Sequence, residues 1–443
     1  MNNMKTIKSI LIVAFFLLIK NSLAVTSDTV NANIFHALVE QLSQAVIQDG
    51  FNPPQASRIY AYCNIAAYEA LIHSTKNYSS LGKQLNGLGD VPKPDAKLQY
   101  DFRYSAVVAF SKVARALVYR VFVTDASEKN LLAKLEKENL PQVTIENSKK
   151  YGNDLADFII TWIKQDNFAQ LKTMQRYELK GTPGTWEPTP PAYLDALEPN
   201  WSKIRPLVMK SADQFKPAPP YEFSEDTASA FYKEAIEVYN TVNGLTRERL
   251  IIAKYWDDSP AHVETSGHFM FVTRKLTPGG HWMNIIKIVA KEKKSDMMEC
   301  AHLYAISSIT LFDAFISCWD EKFRSNLIRP ETFINRNIEP NWQPVFETPP
   351  FPEYTSGHSV ASASVAKALT NLIGDNIAFV DSSEVPFNLS FRKFNSFNEA
   401  ANEAAMSRLY AGIHFRKAIE EGQKQGRAVA DYILKTLVTK KND

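Results

Sequence analysis

The sequence MMECAHLYAISSITLFDAFISCW, residues 297–319, carries apolar side chains on almost every side of a helix. A helix that is hydrophobic all round is buried, so this stretch predicts the central helix of a bundle. Ser295 is the predicted N-cap, and Asp296 follows in the first turn, where the helix dipole favours an acid. Asp313 lies in the middle and needs a partner if it is buried. A cation of a binding site and a structural hydrogen-bond donor elsewhere are equally compatible with that position.

Helical periodicity, with apolar residues three or four apart, recurs along most of the chain. It predicts further helices over residues 34–46, 55–72, 98–121, 147–163, 227–240, 247–255, 262–275, 283–291, 357–373 and 397–410, and from 414 to near the end. Gly374 and Gly412 mark predicted helix ends, and Gly422 and Gly426 would let a neighbouring helix approach the last helix closely. No long segment alternates with the period of a strand, so we predict an all-α bundle fold.

The stretch from Gly181 to Phe223 interrupts this pattern, since nine of the 23 prolines fall within it. Proline is excluded from helix interiors and from central strands. The stretch also contains Trp186 and Trp201, and large aromatic side chains favour packing over a free linker. We therefore predict a long irregular strap that lies on the helices.

Composition and the N-terminal sequence indicate what the protein binds and where it acts. With 443 residues and a net charge of +2, the chain can form a large core and has no strong attraction for nucleic acid or a membrane surface. Residues 1–24 are typical of a secretory signal: Lys5 and Lys8 precede an apolar run over residues 9–19, and Ser22-Leu23-Ala24 offers small residues for cleavage. A membrane anchor is the alternative, although the run is short for a span.

These features predict an exported protein, periplasmic or secreted, without stable membrane insertion after cleavage. The predicted organisation is a signal peptide over 1–24, a helical scaffold with the strap over 25–224, and a helical bundle with the functional site over 225–443. The three cysteines, Cys63, Cys300 and Cys318, lie among apolar residues and are predicted to be buried free thiols.

Three short clusters in the last third of the chain bring together cations, imidazoles and a helix start. They are Lys322 with Arg329-Pro330, then Thr355-Ser356-Gly357-His358, then Ser407-Arg408 with His414. Arginine forks and a lysine charge match the oxygens of a tetrahedral oxyanion. Free N–H groups at a helix start add donors, and Ser356 lies at such a start. The clusters therefore predict an oxyanion site.

The two histidines give this site chemistry beyond binding. His414 could bond to the central atom of the oxyanion, as a nucleophile toward phosphate or as a ligand of vanadium in vanadate. His358 could exchange protons near neutral pH. Phosphate and vanadate have the same shape and similar charge, so these residue types do not separate them.

Together the three clusters resemble the motifs of the superfamily that unites vanadium-dependent haloperoxidases and type 2 phosphatidic acid phosphatases. The motifs cover only the last third of the chain. The strap, the predicted export and the segment Phe351-Pro352-Glu353-Tyr354 before Ser356 are more similar to the haloperoxidases, especially to bacterial vanadium iodoperoxidases. The resemblance implies two four-helix bundles in one compact unit and vanadate as cofactor.

The resemblance also implies a role for each motif residue. His414 would be the vanadate ligand, and His358 would be the acid–base residue toward hydrogen peroxide. Trp319 would help to wall the pocket, and Phe351 would lie beside the halide. The residues that would bind vanadate oxygens are Lys322, Arg329, Ser356, Gly357 and Arg408.

Two positions depart from the family pattern. Thr355 stands where proline is usual, which affects the stiffness of the turn. Ala418 stands four residues after His414, where an aspartate is frequent and in the phosphatases orients the nucleophile. Its absence weakens the phosphatase interpretation unless Glu420 or Glu421 substitutes.

The leading hypothesis is a vanadate-dependent haloperoxidase that uses hydrogen peroxide to oxidise a halide, with iodide favoured, to hypohalite. The first alternative is a soluble exported acid phosphatase acting through a phosphohistidine at His414. The second is a non-catalytic phosphate-binding protein of the cell envelope, which would have no need of His358. The oligomeric state is left open.

Overall fold

The computed structural model describes residues 31–260, 262–266 and 269–441, so the predicted signal peptide lies outside the described residues. The first helix, α1, occupies residues 31–49. The helices that follow are α2 (Pro53–Leu71), α3 (Phe102–Leu117), α4 (Val121–Glu136), α5 (Gln142–Ile163), α6 (Phe168–Leu171), α7 (Ala230–Asn243), α8 (Arg247–Tyr255), α9 (Pro278–Glu292), α10 (Met297–Ser325), α11 (Pro330–Asn337), α12 (Gly357–Ile373), α13 (Phe397–Tyr410) and α14 (Arg416–Thr436). The predicted all-α class is confirmed.

Helix α10 is the centre of the fold. It packs against α2 on one side and against α12 and α14 on the other. Helices α2, α3 and α5 form one packed group with it, and α12, α13 and α14 form another. It is long and apolar enough to cross a membrane, but its apolar window is entirely buried inside the protein. The domain boundary at residues 224/225 stays a prediction.

The start of α10 differs by one residue from the prediction. Asp296, not Ser295, is the N-cap, because its side chain accepts a hydrogen bond from the Glu299 N–H. The Glu299 carboxylate reaches back to the Asp296 N–H and completes a capping box. Asp296 has a glutamate three residues later and can form this reciprocal pair, which is why the helix begins one residue later than predicted.

The proline-rich strap lies on the helices as predicted, with Trp186 and Trp201 both buried. Asp313 is its anchor on α10. The carboxylate accepts hydrogen bonds from the backbone N–H groups of Leu207 at 2.6 Å, Val208 at 2.8 Å and Met209 at 2.9 Å. The partner of Asp313 is therefore structural and not a cation of the site.

Two short antiparallel hairpins are present among the described residues. The first pairs β1 (His262–Ser266) with β2 (Phe269–Thr273), and the second pairs β3 (Phe379–Asp381) with β4 (Arg392–Phe394). The helix predicted over residues 262–275 is therefore wrong. This stretch is rich in β-branched and aromatic residues, which favour strands, and that preference outweighs its weak helical spacing.

Other predicted helix boundaries need smaller corrections. Helix α4 was not predicted, because its apolar residues keep no single face. The last helix begins at Arg416, two residues after His414. Gly374 caps α12 with φ 120°, and Gly412 follows α13 with φ 80°, so both predicted breaks are confirmed. The three cysteines are free and buried, also as predicted.

Candidate active site

Helices α10 to α14 and the segments that precede them bring the nine predicted site residues together. Trp319 and Lys322 come from the last turns of α10, Ser356, Gly357 and His358 from the start of α12, and Arg408 from the end of α13. Arg329 caps α11 in an extended conformation, with φ −81° and ψ 153°, as expected before proline. Phe351 and His414 lie in the connections that precede α12 and α14.

These residues surround a cavity of about 270 Å³. The residues that line it include Trp319, Phe351, Gly357, His358, Arg408 and His414. Lys322, Arg329 and Ser356 lie directly behind this wall and are fully buried. The strap closes one side of the cavity with Leu194 and Leu197. All three sequence clusters therefore converge on one place.

The three cations are held mainly by backbone carbonyl oxygens. Lys322 Nζ donates to the carbonyls of Pro352 at 3.0 Å and Glu353 at 3.1 Å. Arg329 donates from Nε to Phe351 O at 2.8 Å and from Nη1 to Ile413 O at 2.8 Å. Neutral carbonyls orient a cation without cancelling its charge, so these contacts leave Lys322 and Arg329 able to attract an anion.

Arg408 leaves part of its guanidinium available to a ligand. Its Nη1 donates to the carbonyl oxygen of Trp256 at 2.5 Å. Its Nε is buried and has no hydrogen-bond partner in the part of the chain that the structure describes. A buried N–H without an acceptor is costly, so an anion in the cavity would be stabilised here.

Burial shifts the pKa values of all three cations downward. It lowers the pKa of Lys322 to about 7, with Arg329 adding to the effect, and that of Arg329 to about 9. The pKa of Arg408 falls to about 10 for the same reason, although Asp257 and Asp258 oppose the shift. The lowered pKa values show that burial disfavours the charged forms of these side chains. A bound anion would stabilise the charged forms, so the site favours anion binding.

His414 is a neutral imidazole between a carboxylate and a guanidinium. Its Nδ1 lies 2.8 Å from Glu353 Oε1, and its Nε2 lies 3.2 Å from Arg329 Nη1. Burial, followed by the charges of Arg329 and Lys322, lowers the pKa of His414 well below its usual value. Burial raises the pKa of Glu353, although both cations oppose it. An arginine donates only, so Nε2 is the acceptor and carries the lone pair.

His358 is also held neutral. Its Nε2 lies 3.4 Å from Arg408 Nη1 and 3.8 Å from Asp258 Oδ2. Burial and then the charge of Arg408 lower its pKa well below the usual value. A neutral imidazole at the cavity wall, with a carboxylate close to it, can accept a proton and then be stabilised as a cation.

The start of α12 supplies donors without a net charge. The Ser356 Oγ accepts from the Ser359 N–H at 3.4 Å and from the Ser359 hydroxyl at 2.9 Å, so its own proton is left for another acceptor. Gly357 is the first residue of the helix, where backbone N–H groups lack partners within the helix. A Cβ on Gly357 would lie 3.6 Å from the Trp319 ring, and both residues line the cavity.

Two aromatic rings form an apolar part of the wall. The rings of Trp319 and Phe351 lie 5.1 Å apart between centroids. The Lys322 Nζ is 4.8 Å from the Phe351 centroid, and the Arg329 guanidinium carbon is 4.9 Å from it. This surface combines low polarity with nearby positive charge.

The two departures from the family pattern have structural counterparts. The Thr355 hydroxyl donates to Gln425 Oε1 at 2.7 Å, so it links the segment before α12 to α14. Ala418 is buried and offers no carboxylate. Glu420 lies 3.9 Å from Arg416, and Glu421 pairs with Lys424 at 2.7 Å. The carboxylate that meets His414 is Glu353, which sequence reasoning quoted in a motif but did not assign.

Sequence reasoning also missed an acidic cluster behind His358. His281 Nδ1 lies 2.9 Å from Asp258 Oδ1, and its Nε2 lies 2.8 Å from Asp381 Oδ2. Burial alone would lower the pKa of His281, but the two carboxylates raise it well above the usual value. Asp258, His281 and Glu384 are close enough to hold a metal ion. However, both ring nitrogens of His281 already face carboxylates, which favours a buried ion-pair cluster.

The fold and the site define a helical protein that binds a tetrahedral oxyanion beside two imidazoles. A family model described as the VCPO second helical-bundle domain matches residues 337–442. A solved bacterial vanadium-dependent iodoperoxidase is 45% identical, with a TM-score of 0.87, and the match covers 92% of this chain and 97% of that one. A comparison with curated proteins finds no match.

Two other solved structures share the fold at low identity. The holo and apo forms of a bacterial vanadium-dependent chloroperoxidase are each 15% identical to this chain, with TM-scores of 0.67 and 0.64. The matches cover 87% and 86% of this chain and 92% and 94% of those chains. They support the architecture alone.

The chain belongs to the family of vanadium-dependent haloperoxidases, and the cofactor of this family is vanadate. The residues present fit that anion. His414 lines the cavity, imidazole is a suitable vanadium donor, and the Arg408 Nε–H is buried without a partner in the described part of the chain.

Proposed function

We propose that this protein uses hydrogen peroxide to oxidise iodide to hypoiodous acid in a vanadate-dependent reaction. The overall reaction consumes iodide, hydrogen peroxide and one proton, and it releases hypoiodous acid and water. The observation that carries the proposal is the position of His414, which lines the cavity beside Arg329 and lies close enough to Lys322 and Arg408 to feel their charges. Similarity to a bacterial iodoperoxidase at 45% identity favours iodide among the halides.

We assign the roles at the site from this geometry. His414 Nε2 would ligate vanadium, and Lys322, Arg329, Arg408, the Ser356 hydroxyl and the Gly357 N–H would bind the vanadate oxygens. When bound, vanadate supplies a Lewis acid that activates peroxide toward a halide without a change of metal oxidation state. Lys322, Arg329 and Arg408 can stabilise charge without reorganising during the reaction, because backbone carbonyl oxygens already orient them.

His358 would move the proton. In its neutral form it accepts a proton from hydrogen peroxide at Nε2, and the Asp258 carboxylate 3.8 Å away stabilises the resulting imidazolium. The same group can return the proton to the leaving oxygen. His358 therefore acts as base and then as acid.

The aromatic wall suits iodide. Iodide is large, weakly hydrated and the easiest of the common halides to oxidise, so it needs the least activation. The rings of Phe351 and Trp319 can border it while Lys322 and Arg329 supply positive charge behind the Phe351 ring. Phe351 alone does not select iodide, because it offers no specific donor.

The test is steady-state kinetics of the vanadate-loaded protein with iodide, bromide and chloride at fixed peroxide. We expect the highest kcat/KM with iodide and no turnover without vanadate. A higher kcat/KM with bromide or chloride would reject iodide and leave the haloperoxidase assignment intact. Cleavage of a phosphomonoester without vanadate, together with no halide oxidation, would instead favour the phosphatase with a phosphohistidine at His414.

The His414→Ala variant tests the ligand assignment. We expect it to lose halide oxidation and to bind vanadate much more weakly, because it removes the only group proposed to bond to vanadium. His73→Ala is a matched control, since His73 contacts the Phe102 and Tyr151 rings far from the motifs in sequence. Full activity with unchanged vanadate affinity in His414→Ala would refute the assignment.

We also propose that the protein is exported and acts in the periplasm or outside the cell. The support is the basic and apolar pattern of residues 1–24 with small residues before the predicted cleavage site. N-terminal sequencing of the protein from cell fractions would test this. A mature N-terminus near residue 25 in the periplasmic or secreted fraction is expected, and an uncleaved chain in the cytoplasm would refute export.

A further inference from the structure

Glu353 makes three contacts that converge on the site. Its carboxylate is fully buried, and Oε1 accepts a hydrogen bond from the Phe415 N–H at 2.9 Å. The same oxygen lies 2.8 Å from His414 Nδ1. Its backbone carbonyl accepts a hydrogen bond from Lys322 Nζ at 3.1 Å. One residue therefore contacts both the predicted ligand and one of the predicted cations.

These contacts determine which nitrogen of His414 carries the proton. The Phe415 N–H can only donate, so Oε1 accepts from it, and an ionised Glu353 carboxylate can only accept, so with Glu353 ionised Nδ1 of His414 donates to the same oxygen. On the other side of the ring, Arg329 Nη1 can only donate, so Nε2 must be the acceptor. Both neighbours thus favour a single tautomer, with the proton on Nδ1 and the lone pair on Nε2.

No carboxylate on α14 is available for this task. Ala418 has none, and Glu420 is more than half exposed. Glu421 pairs with Lys424, and Asp431 pairs with Lys367. In sequence, Glu353 lies 61 residues before His414, in the segment that leads into α12. The carboxylate therefore reaches the imidazole from a different element than the helix that follows it.

We propose that Glu353 is the positioning residue of His414, and that it replaces a carboxylate on the helix after the histidine. It holds the ring in the tautomer and orientation that present Nε2 to the oxyanion. A hydrogen-bonded partner on the outer nitrogen of a ligand histidine fixes the ring and is typically needed for full metal affinity. This inference rests on the proposed role of His414 as the vanadate ligand.

Glu353 also positions Lys322. Since the backbone carbonyl of Glu353 holds Lys322 while its side chain holds His414, the position of this one residue sets the spacing between a cation and the imidazole. The segment before α12 is thus a common support for two parts of the site.

The first test is the ¹⁵N NMR spectrum of the histidine rings in the protein without vanadate. The His414 signals are assigned by their loss in His414→Ala. We expect a protonated Nδ1 and a bare Nε2 in the unsubstituted protein. The opposite tautomer, or an imidazolium near neutral pH, would overturn the proposal without any Glu353 variant and whether or not vanadate binds.

The second test compares Glu353→Leu with Glu353→Gln. Leucine removes the acceptor, so we expect a mixture of tautomers and a loss of vanadate affinity of about 10–100-fold by calorimetry. Glutamine keeps an acceptor oxygen of the same reach, so we expect the Nδ1–H tautomer and an affinity within a few-fold of the unsubstituted protein. If Glu353→Leu does not fold, Glu353→Gln still decides, because loss of the tautomer in it would contradict the proposal.

Glu321→Leu is the matched control. Glu321 is a buried glutamate on α10 whose carboxylate contacts Arg324 and Ser325. We expect its removal to leave the His414 tautomer unchanged. Unchanged tautomer and affinity in Glu353→Leu would overturn the role of Glu353. Failure of the unsubstituted protein to bind vanadate would instead refute the ligand role of His414, and the tautomer measurements would still report on Glu353.

Discussion

At the scale of single residues, Arg329 shows how the site is oriented before a ligand arrives. Its guanidinium donates to three carbonyl oxygens, those of Phe351, Ile413 and Pro349, and it also faces His414. The planar fork is therefore held in one orientation by neutral groups. A flexible side chain with one charged atom would lose these contacts.

We predict that Arg329→Lys weakens vanadate binding although it keeps the charge. One ammonium cannot reproduce the several directed donors of the guanidinium, and the loss should be about 1.5–3 kcal/mol, the range for a hydrogen bond to a charged group. Calorimetric titration with vanadate measures it. Arg324→Lys, at an exposed ion pair in the last turn of α10, is the control and should bind vanadate normally. Equal affinity in the two variants would argue against the contact.

At the scale of secondary structure, the approach of α14 to α12 positions both histidines. A Cβ on Gly426 would lie 2.2 Å from the Val360 carbonyl oxygen, and one on Gly422 would lie 3.1 Å from the Ser356 carbonyl oxygen. These two glycines allow backbone contact along the helix pair. Since His358 is in the first turn of α12 and His414 precedes α14, the spacing of the helices also sets the spacing of the imidazoles.

We predict that Gly426→Ala lowers the free energy of unfolding by about 1–3 kcal/mol, because the added methyl group forces two packed helices apart. It should also lower halide oxidation, since the movement reaches both histidines. Chemical denaturation and steady-state kinetics measure the two effects. Lys424→Ala, at an exposed position of the same helix, should change neither by much. A Gly426→Ala variant as stable as the unsubstituted protein would show that the helices adjust without cost.

At the scale of the whole molecule, the site lies where five elements meet, so a bound anion connects them. Lys322, Arg329 and Arg408 repel one another in the folded protein, and each has its pKa lowered by burial. A ligand that binds only the folded state stabilises it according to its concentration and affinity. Vanadate should therefore stabilise the entire chain.

We predict that vanadate at 100 times its Kd raises the free energy of unfolding by about 2.7 kcal/mol. For a chain of this length that corresponds to a rise in Tm of about 3 °C. Differential scanning calorimetry across a vanadate series measures it. The rise should be much smaller in His414→Ala at the same vanadate concentrations. An equal rise in that variant would mean that vanadate stabilises the protein at another place.

The sequence by itself determined the helical class, the buried central helix and the three clusters that form the site. These features depend on local patterns: the spacing of apolar residues, the glycines and prolines that end helices, and the motif residues around Ser356 and His414. The paired strands β1 and β2 were missed because a short apolar stretch is ambiguous between helix and strand.

Only the tertiary structure decided which polar groups meet inside the protein. Glu353 reaches His414 across 61 residues, His281 reaches Asp381 across 100, and Asp313 meets the strap more than 100 residues away. A buried polar side chain must find a partner, but its identity depends on the packing of distant helices and leaves no periodic pattern in the sequence. For that reason the motif residues could be read from the chain, while the carboxylates beside the two site histidines, Glu353 and Asp258, could not.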